Sequence, residues 1–324
     1  MKKRKHTLSR RDLLSAIPWL AVPAGMVSAA PAAAASDPAK PVAKTGATRR
    51  RIGLALGAGG ANGLAHIEML EVLEEMGLRP HRMAGSSIGA VIGAMFASGM
   101  SAADIRQLAN QAFATDEDGL LDTLMSDQAT HWLELVELEV GDGGLLDSRR
   151  ILSHFYGSIG KRVFEDLEIP LDIVAGDLWD KKQVVLNQGP LLPAVQASMA
   201  IPGIFEPVQI DDRVLIDGGT VNPVPWDLLF ADCDIVIGID VSGVRSRPES
   251  GETGYFQILF NSIKVMQKAI VNAKMRHQQP DIFIAPEIKD VRALEFYSAE
   301  RVFEQAKPAR TQLRNELSAL LAAD

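Results

Sequence analysis

Short apolar runs alternate along the chain with longer stretches of helical spacing. Residues 52–56 form a continuous apolar run, the pattern of a strand buried on both faces. Residues 64–76 follow with Leu64, Ile67, Leu70 and Leu73 on one helical face, and Gly77 stops them. Residues 81–84 predict a short strand and 90–97 a buried helix of small and apolar side chains. Further strands are predicted at 171–176, 183–186, 235–239 and 282–284. Residues 204–210 and 214–216 read as a strand pair around Asp211-Asp212. Helices are predicted at 101–114, 148–156, 190–199, 256–275 and 293–321. Residues 116–142 mix leucines and Trp132 with acids, and admit two readings: a lid or lipid-facing flap, or an amphipathic helix packed on the core. Strands alternating with helices imply an α/β fold whose mostly parallel central sheet is covered on both faces.

The N-terminus follows a different pattern. Six basic residues precede an apolar stretch from Leu13 to Ala30, and small residues follow it. This is the order of an export signal, and Ser9-Arg10-Arg11-Asp12-Leu13-Leu14 resembles the twin-arginine type. An uncleaved membrane anchor is the competing reading, weakened by Pro18 and Pro23. The expected organisation is a twin-arginine-type signal at 1–35, a flexible linker at 36–50 and one catalytic domain with a C-terminal helix at 51–324. The expected location is periplasmic or secreted, in a bacterium.

Charge narrows the partners. The formal net charge is −8, and the first 35 residues hold six basic side chains and one acidic, so removing them leaves a more acidic chain. Such a protein is a poor match for nucleic acid, whose binding requires cations against phosphate. The single cysteine, Cys233, excludes an internal disulfide and a cysteine-based zinc site, and reads as a packed thiol. No calcium loop or cluster of metal ligands is visible, so neither metal nor cofactor is expected.

Two glycine-rich turns carry the candidate chemistry. Gly85-Ser86-Ser87-Ile88-Gly89 lies between a strand and a helix, with glycines two places before and after Ser87. That is the nucleophile-elbow pattern, in which flanking side chains would collide with neighbouring backbone. The bland alternative is a connecting turn. The second turn runs from Gly57 through Gly59, Gly60, Ala61 and Asn62 to Gly63, between a strand and a helix N-terminus. Backbone N–H groups there can converge on an anion. A dinucleotide site would want glycine where Asn62 stands and an acid at the next strand end, yet Glu71, Glu74 and Glu75 lie inside the helix. An oxyanion hole serving Ser87 fits better.

A third stretch, Asp217-Gly218-Gly219, ends a predicted strand and leaves a carboxylate free to face a site, or else marks a plain turn. The rival wiring is a Ser–His–Asp triad. It needs a histidine after the acid, and only His277 follows, at a polar helix end.

The three stretches in this order resemble the patatin-like phospholipase family, the bacterial branch related to neuropathy target esterase. The resemblance runs from about Arg51 to about Pro286 and takes in residues 63–66, 197–205 and 217–225. It implies a three-layer α/β/α fold and a Ser–Asp dyad, with Ser87 as nucleophile and Asp217 as base. Backbone N–H groups of Gly59, Gly60 and Ala61 would form the oxyanion hole. Gly57, Asn62, Gly63, Gly85, Gly89, Gly218 and Gly219 complete the motifs. The implied substrates are phospholipid, lysophospholipid or other acyl esters, with transient membrane-surface contact. Asn62 departs from the Arg or Lys usual in the family, a side chain that would steady the loop or favour an anionic head group. The alternative reading is a catalytically weak lipid-binding or interaction protein on the same fold.

Overall fold

The computed structural model describes residues 50–114, 157, 159–244 and 255–323. The signal-type segment, the linker apart from Arg50, the 116–142 stretch and the 148–156 helix fall outside these residues.

The continuous apolar runs become the central strands. β1 (Ile52–Leu56), β2 (Arg82–Ser86), β3 (Leu171–Asp177), β7 (Ile235–Ile239) and β8 (Ile282–Ile284) pair in parallel in the order β3-β2-β1-β7-β8. β4 (Lys182–Leu186), β5 (Val208–Ile210) and β6 (Arg213–Asp217) extend the sheet with antiparallel pairings. The sheet is therefore mixed; of its five parallel strands, β1, β7 and β8 are the ones read from the sequence as apolar runs, and β2 and β3 are the less apolar strands expected at 81–84 and 171–176.

Side-chain alternation divides the core into two layers. Leu54 and Leu56 of β1 and Ile235, Ile237 and Ile239 of β7 join one cluster with α1 (Ala65–Glu75), α2 (Ile88–Ala97) and α6 (Ala299–Ala322). Ala55, Ala84 and Val236 face the other way, against Trp226, Leu229 and Val271 of α5 (Tyr255–His277). Helices thus cover both faces. The stripe expected on α1 is buried, with Leu64, Ile67, Leu70 and Leu73 at most 3% exposed. Burying each such side chain contributes about 1.5–3 kcal/mol. Two further helices, α3 (Ala102–Ala114) and α4 (Leu191–Ser198), complete the described set. Cys233 is buried beside Gly53 and Leu229, and burial pushes its thiol up to about 11, so it is an inert packed group.

Two boundaries differ from the sequence reading. The strand expected from residue 204 begins only at Val208, because Ile204 and Phe205 pack with Leu294 in a separate cluster. The last helix begins at Ala299 rather than at 293, because Leu294 belongs to that cluster and the Ala293 carbonyl is engaged elsewhere.

The register at β3 creates the site. β4 pairs with Ile173–Asp177 and so occupies one whole edge of β3. β2 and β6 must then share the other edge. Ser86, at the end of β2, lies opposite Val174; Asp217, at the end of β6, lies opposite Ala175. The two strands run head to head and deliver their C-terminal residues to adjacent positions. The glycine loop leaves the end of β1, whose neighbours β2 and β7 lead the chain to opposite sides. Such a switch point, at the carboxyl ends of parallel strands, is where ligands bind in open α/β sheets.

Candidate active site

Ser87 occupies the turn between β2 and α2 with φ 56° and ψ −124°, a left-handed conformation that a non-glycine residue adopts at a cost. Its N–H donates to Ser198 Oγ at 2.9 Å, and Ser198 Oγ donates to Val174 O at 2.6 Å. The elbow is thereby tied to β3 through the last residue of α4. The flanking glycines behave as the pattern predicts: a Cβ at Gly85 would lie 2.6 Å from Gly89 O, and one at Gly89 would lie 2.1 Å from Leu56 O. α2 starts at Ile88, so the positive end of its dipole lies at Ser87.

Among the described residues the hydroxyl has one side-chain partner. Ser87 Oγ donates to Asp217 Oδ2 at 2.6 Å, and the other carboxylate oxygen accepts from Gly219 N at 2.7 Å. Asp217 is 3% exposed. Burial pushes its pKa up to about 6, against the opposing pull of the hydrogen bonds from Ser87 and Gly219.

The glycine loop supplies two candidate donors rather than three. Gly57 N donates to Ile239 O, Ala58 N to Pro223 O and Ala61 N to Ala293 O. Ala61 is fully buried and its N–H is already satisfied at 2.7 Å, which removes it from the expected set. Gly59 and Gly60 line the cavity that holds Ser87 and Asp217, and their N–H groups donate to no described residue. Gly60 turns with φ +60°, and a Cβ there would lie 2.2 Å from Ala293 O. Ile201, Pro202, Phe260 and Ile263 add apolar surface to the same cavity, suited to a hydrocarbon chain.

Asn62 does not line that cavity. It is 1% exposed, donates from Nδ2 to Ser242 O at 3.3 Å and leaves Oδ1 without a partner. This placement favours the loop-steadying role over contact with a head group. Gly63 packs against Ile88, joining the glycine loop to the start of α2.

Neither His66 nor His277 hydrogen-bonds the serine. His66 is fully buried behind the glycine loop, its Nε2 paired with Gly57 O at 2.9 Å. Burial pushes its pKa down to about 4, so the ring is neutral near pH 7. His277 is exposed at the end of α5, ten residues beyond the cavity-lining Gln267. That separation is about 15 Å along a helix. Among the described residues no histidine hydrogen-bonds Ser87 or Asp217.

Sequence reading missed three contributors. Ser198 lies within a stretch quoted for the resemblance, but nothing local assigned it the elbow N–H. Gln267 lines the cavity from the middle of a helix. Lys274 contacts Asn222 Oδ1, Val224 O and Asp227, and so holds the loop that follows Asp217. Only the fold brings the last two to the site.

Known proteins resemble this chain over most of its length. An uncharacterized NTE family protein of Mycobacterium tuberculosis is 33% identical over 204 residues, which are 63% of this chain and 52% of that one. Neuropathy target esterase of Drosophila melanogaster is 30% identical over 212 residues, 64% of this chain and 14% of that protein. The chain therefore matches about half the length of the first and a small part of the second. Among solved structures, VipD from Legionella pneumophila is similar with a TM-score of 0.42 and 13% identity, over 81% of this chain and 67% of that one. The profile described as patatin-like phospholipase matches residues 54–230, from β1 through the glycine loop and the Ser87 elbow to beyond Asp217. That is more than half of the chain, which belongs to the patatin-like phospholipase family.

Proposed function

We propose that the protein is a serine acyl hydrolase that cleaves lipid acyl esters, phospholipids or lysophospholipids among them, through Ser87 and Asp217. The observation that carries this reading is the 2.6 Å hydrogen bond from Ser87 Oγ to the buried Asp217 carboxylate. A serine hydroxyl is a weak nucleophile without an adjacent base. As Oγ attacks the ester carbonyl carbon, its proton passes to Asp217. The carbonyl oxygen becomes an oxyanion facing the Gly59 and Gly60 N–H groups, each such donor contributing on the order of 3 kcal/mol. Collapse breaks the bond to the alcohol, which leaves with the proton from Asp217. Water then attacks the acyl-serine, Asp217 takes the water's proton, and collapse releases the fatty acid and returns a proton to Ser87.

A relative named as an esterase, together with the family's name, supports an ester as substrate. The apolar wall of the cavity supports a fatty acyl chain and, with it, approach to a membrane surface. The N-terminal sequence supports export by the twin-arginine route, and Arg10→Lys with Arg11→Lys is expected to hold the precursor in the cytoplasm.

The testing experiment is hydrolysis of a chromogenic fatty-acyl ester and of a lipid panel by wild type, Ser87→Ala and Asp217→Asn, with folding checked by circular dichroism. Each single variant should lose roughly a thousandfold or more, and the double variant little beyond that, since the pair acts as a unit. Wild-type activity surviving in Ser87→Ala would sink the assignment.

A further inference from the structure

Helix α5 turns one face toward the site. Phe260, Ile263, Lys264 and Gln267 recur at helical spacing and all line the cavity, and buried Val271 continues the same face. Gln267 is the member of this face that packing does not account for. It is 8% exposed, and its carboxamide hydrogen-bonds none of the described residues. Its amide atoms are not closed off as those of Asn62 and His66 are, so they face the open cavity, where a ligand can take the place of water.

The position of the amide says what it can meet. A Cβ at Gly219 would lie 2.5 Å from Gln267 Nε2, 2.8 Å from Ala58 Cβ and 2.9 Å from Asp217 Oδ1. The missing side chain at Gly219 is what admits the amide beside the carboxylate. Asp217 accepts from Ser87 and from Gly219 N and takes no hydrogen bond from Gln267, so the amide is left for a ligand. In the proposed reaction Asp217 returns its proton to the departing alcohol. The alcohol oxygen must therefore come up to Asp217, and the atoms next to that oxygen meet Gln267.

We infer that Gln267 is a specificity-determining residue for the leaving group, its carboxamide hydrogen-bonding a hydroxyl that neighbours the ester oxygen. A carboxamide both donates and accepts, which matches a hydroxyl. The preferred substrates are then esters of polyols of the glycerol kind rather than of simple alkyl alcohols. The inference rests on the hydrolase reading of Ser87 and Asp217. A site built to hydrogen-bond a substrate hydroxyl discriminates strongly against the analogue that lacks it.

The test uses two esters that share one acyl chain, monooctanoylglycerol and ethyl octanoate. Fatty acid release is followed for wild type, Gln267→Met and Gln267→Leu. Wild type should favour the glycerol ester in kcat/KM, and both variants should lower the ratio of the two kcat/KM values about tenfold. Met nearly preserves the volume of the side chain, and the ratio, measured within one preparation, is unaffected by partial misfolding. A ratio within twofold of wild type overturns the inference, whether both rates fall together, as they would if the amide held the hydrolytic water, or neither does. So does a wild type with no preference for the glycerol ester. If Ser87→Ala cleaves either ester as fast as wild type, the hydrolase reading fails and takes this one with it. Serine-dependent cleavage with an unmoved ratio overturns the Gln267 assignment alone.

Discussion

In the proposed reaction Asp217 is the base, and burial, which raises its pKa, makes it a stronger one near neutral pH than an ordinary carboxylate. The group must be ionised to take the Ser87 proton, so kcat/KM should rise with pH through about 6 and level off above it. Rates on a chromogenic ester between pH 4.5 and 8 give the profile; a limb near 4 would mean that Asp217 is solvated in the working enzyme. The elbow and the acid were legible in the sequence because each depends on local chemistry: glycines that permit close backbone approach, and a carboxylate at a strand end. The third oxyanion donor was misread because its fate is decided 232 residues away, where Ala293 O accepts the Ala61 N–H. Gln267 was illegible for the same reason, since a glutamine inside a helix carries no local mark of what it faces.

At the scale of elements, the loop after Asp217 clamps three parts of the site. Asn222 O accepts from Ser86 Oγ at 2.6 Å, next to the nucleophile, and Pro223 O accepts from Ala58 N at 2.8 Å, within the glycine loop. Lys274 of α5 holds this loop through Asn222 Oδ1, Val224 O and Asp227, with its ammonium 4.1 Å from the centre of a Trp226 ring. Burial lowers the pKa of Lys274, against the pull of Asp227. Lys274→Met leaves Asn222 and Val224 acceptors without their donor and should cost about 1–3 kcal/mol in urea unfolding. It should also lower kcat more than it raises KM, because Ser86 and Ala58 shift with the loop. An unfolding midpoint equal to wild type would show that the clamp is dispensable. β1, β7 and β8 were readable because buried parallel strands are continuous apolar runs, whereas β2, with Arg82 and Ser86 at its ends, was read only as a short strand before the elbow. The head-to-head arrangement of β2 and β6 was not, because pairing along β3 is set by register between distant segments and leaves no trace in either strand alone.

At the scale of the whole molecule, the same buried groups tie catalysis to stability. Asp217 has a folded pKa of about 6 against an ordinary value near 4. Between those values the folded state keeps a proton that the unfolded state has lost, so this group's contribution to stability falls as pH rises from 4 to 6. His66 works in the opposite sense. Its folded pKa of about 4 lies below the ordinary 6.5, so its contribution is complete above 6.5 and is lost as pH falls toward 4. The Asp217 effect amounts to about 2–3 kcal/mol and the His66 effect to about 3–4 kcal/mol, so across pH 4–6 the two largely cancel. Asp217→Asn removes one side of this balance. Its amide keeps an oxygen for the Gly219 N–H and turns its nitrogen toward Ser87 Oγ, so the fold loses little. The stability of the variant should then rise with pH from 4 to 6.5, while wild type stays flatter. Measured against wild type, the variant should gain little at pH 4 and about 2–3 kcal/mol more at pH 7, although by the proposed mechanism it is inactive. Urea unfolding of both proteins at four or five pH values provides the check. Parallel curves would show that the Asp217 carboxyl is not raised, and an acid limb of activity near 4 should accompany them; curves that diverge over pH 4–6 should bring a kinetic limb near 6, since a single ionisation governs both.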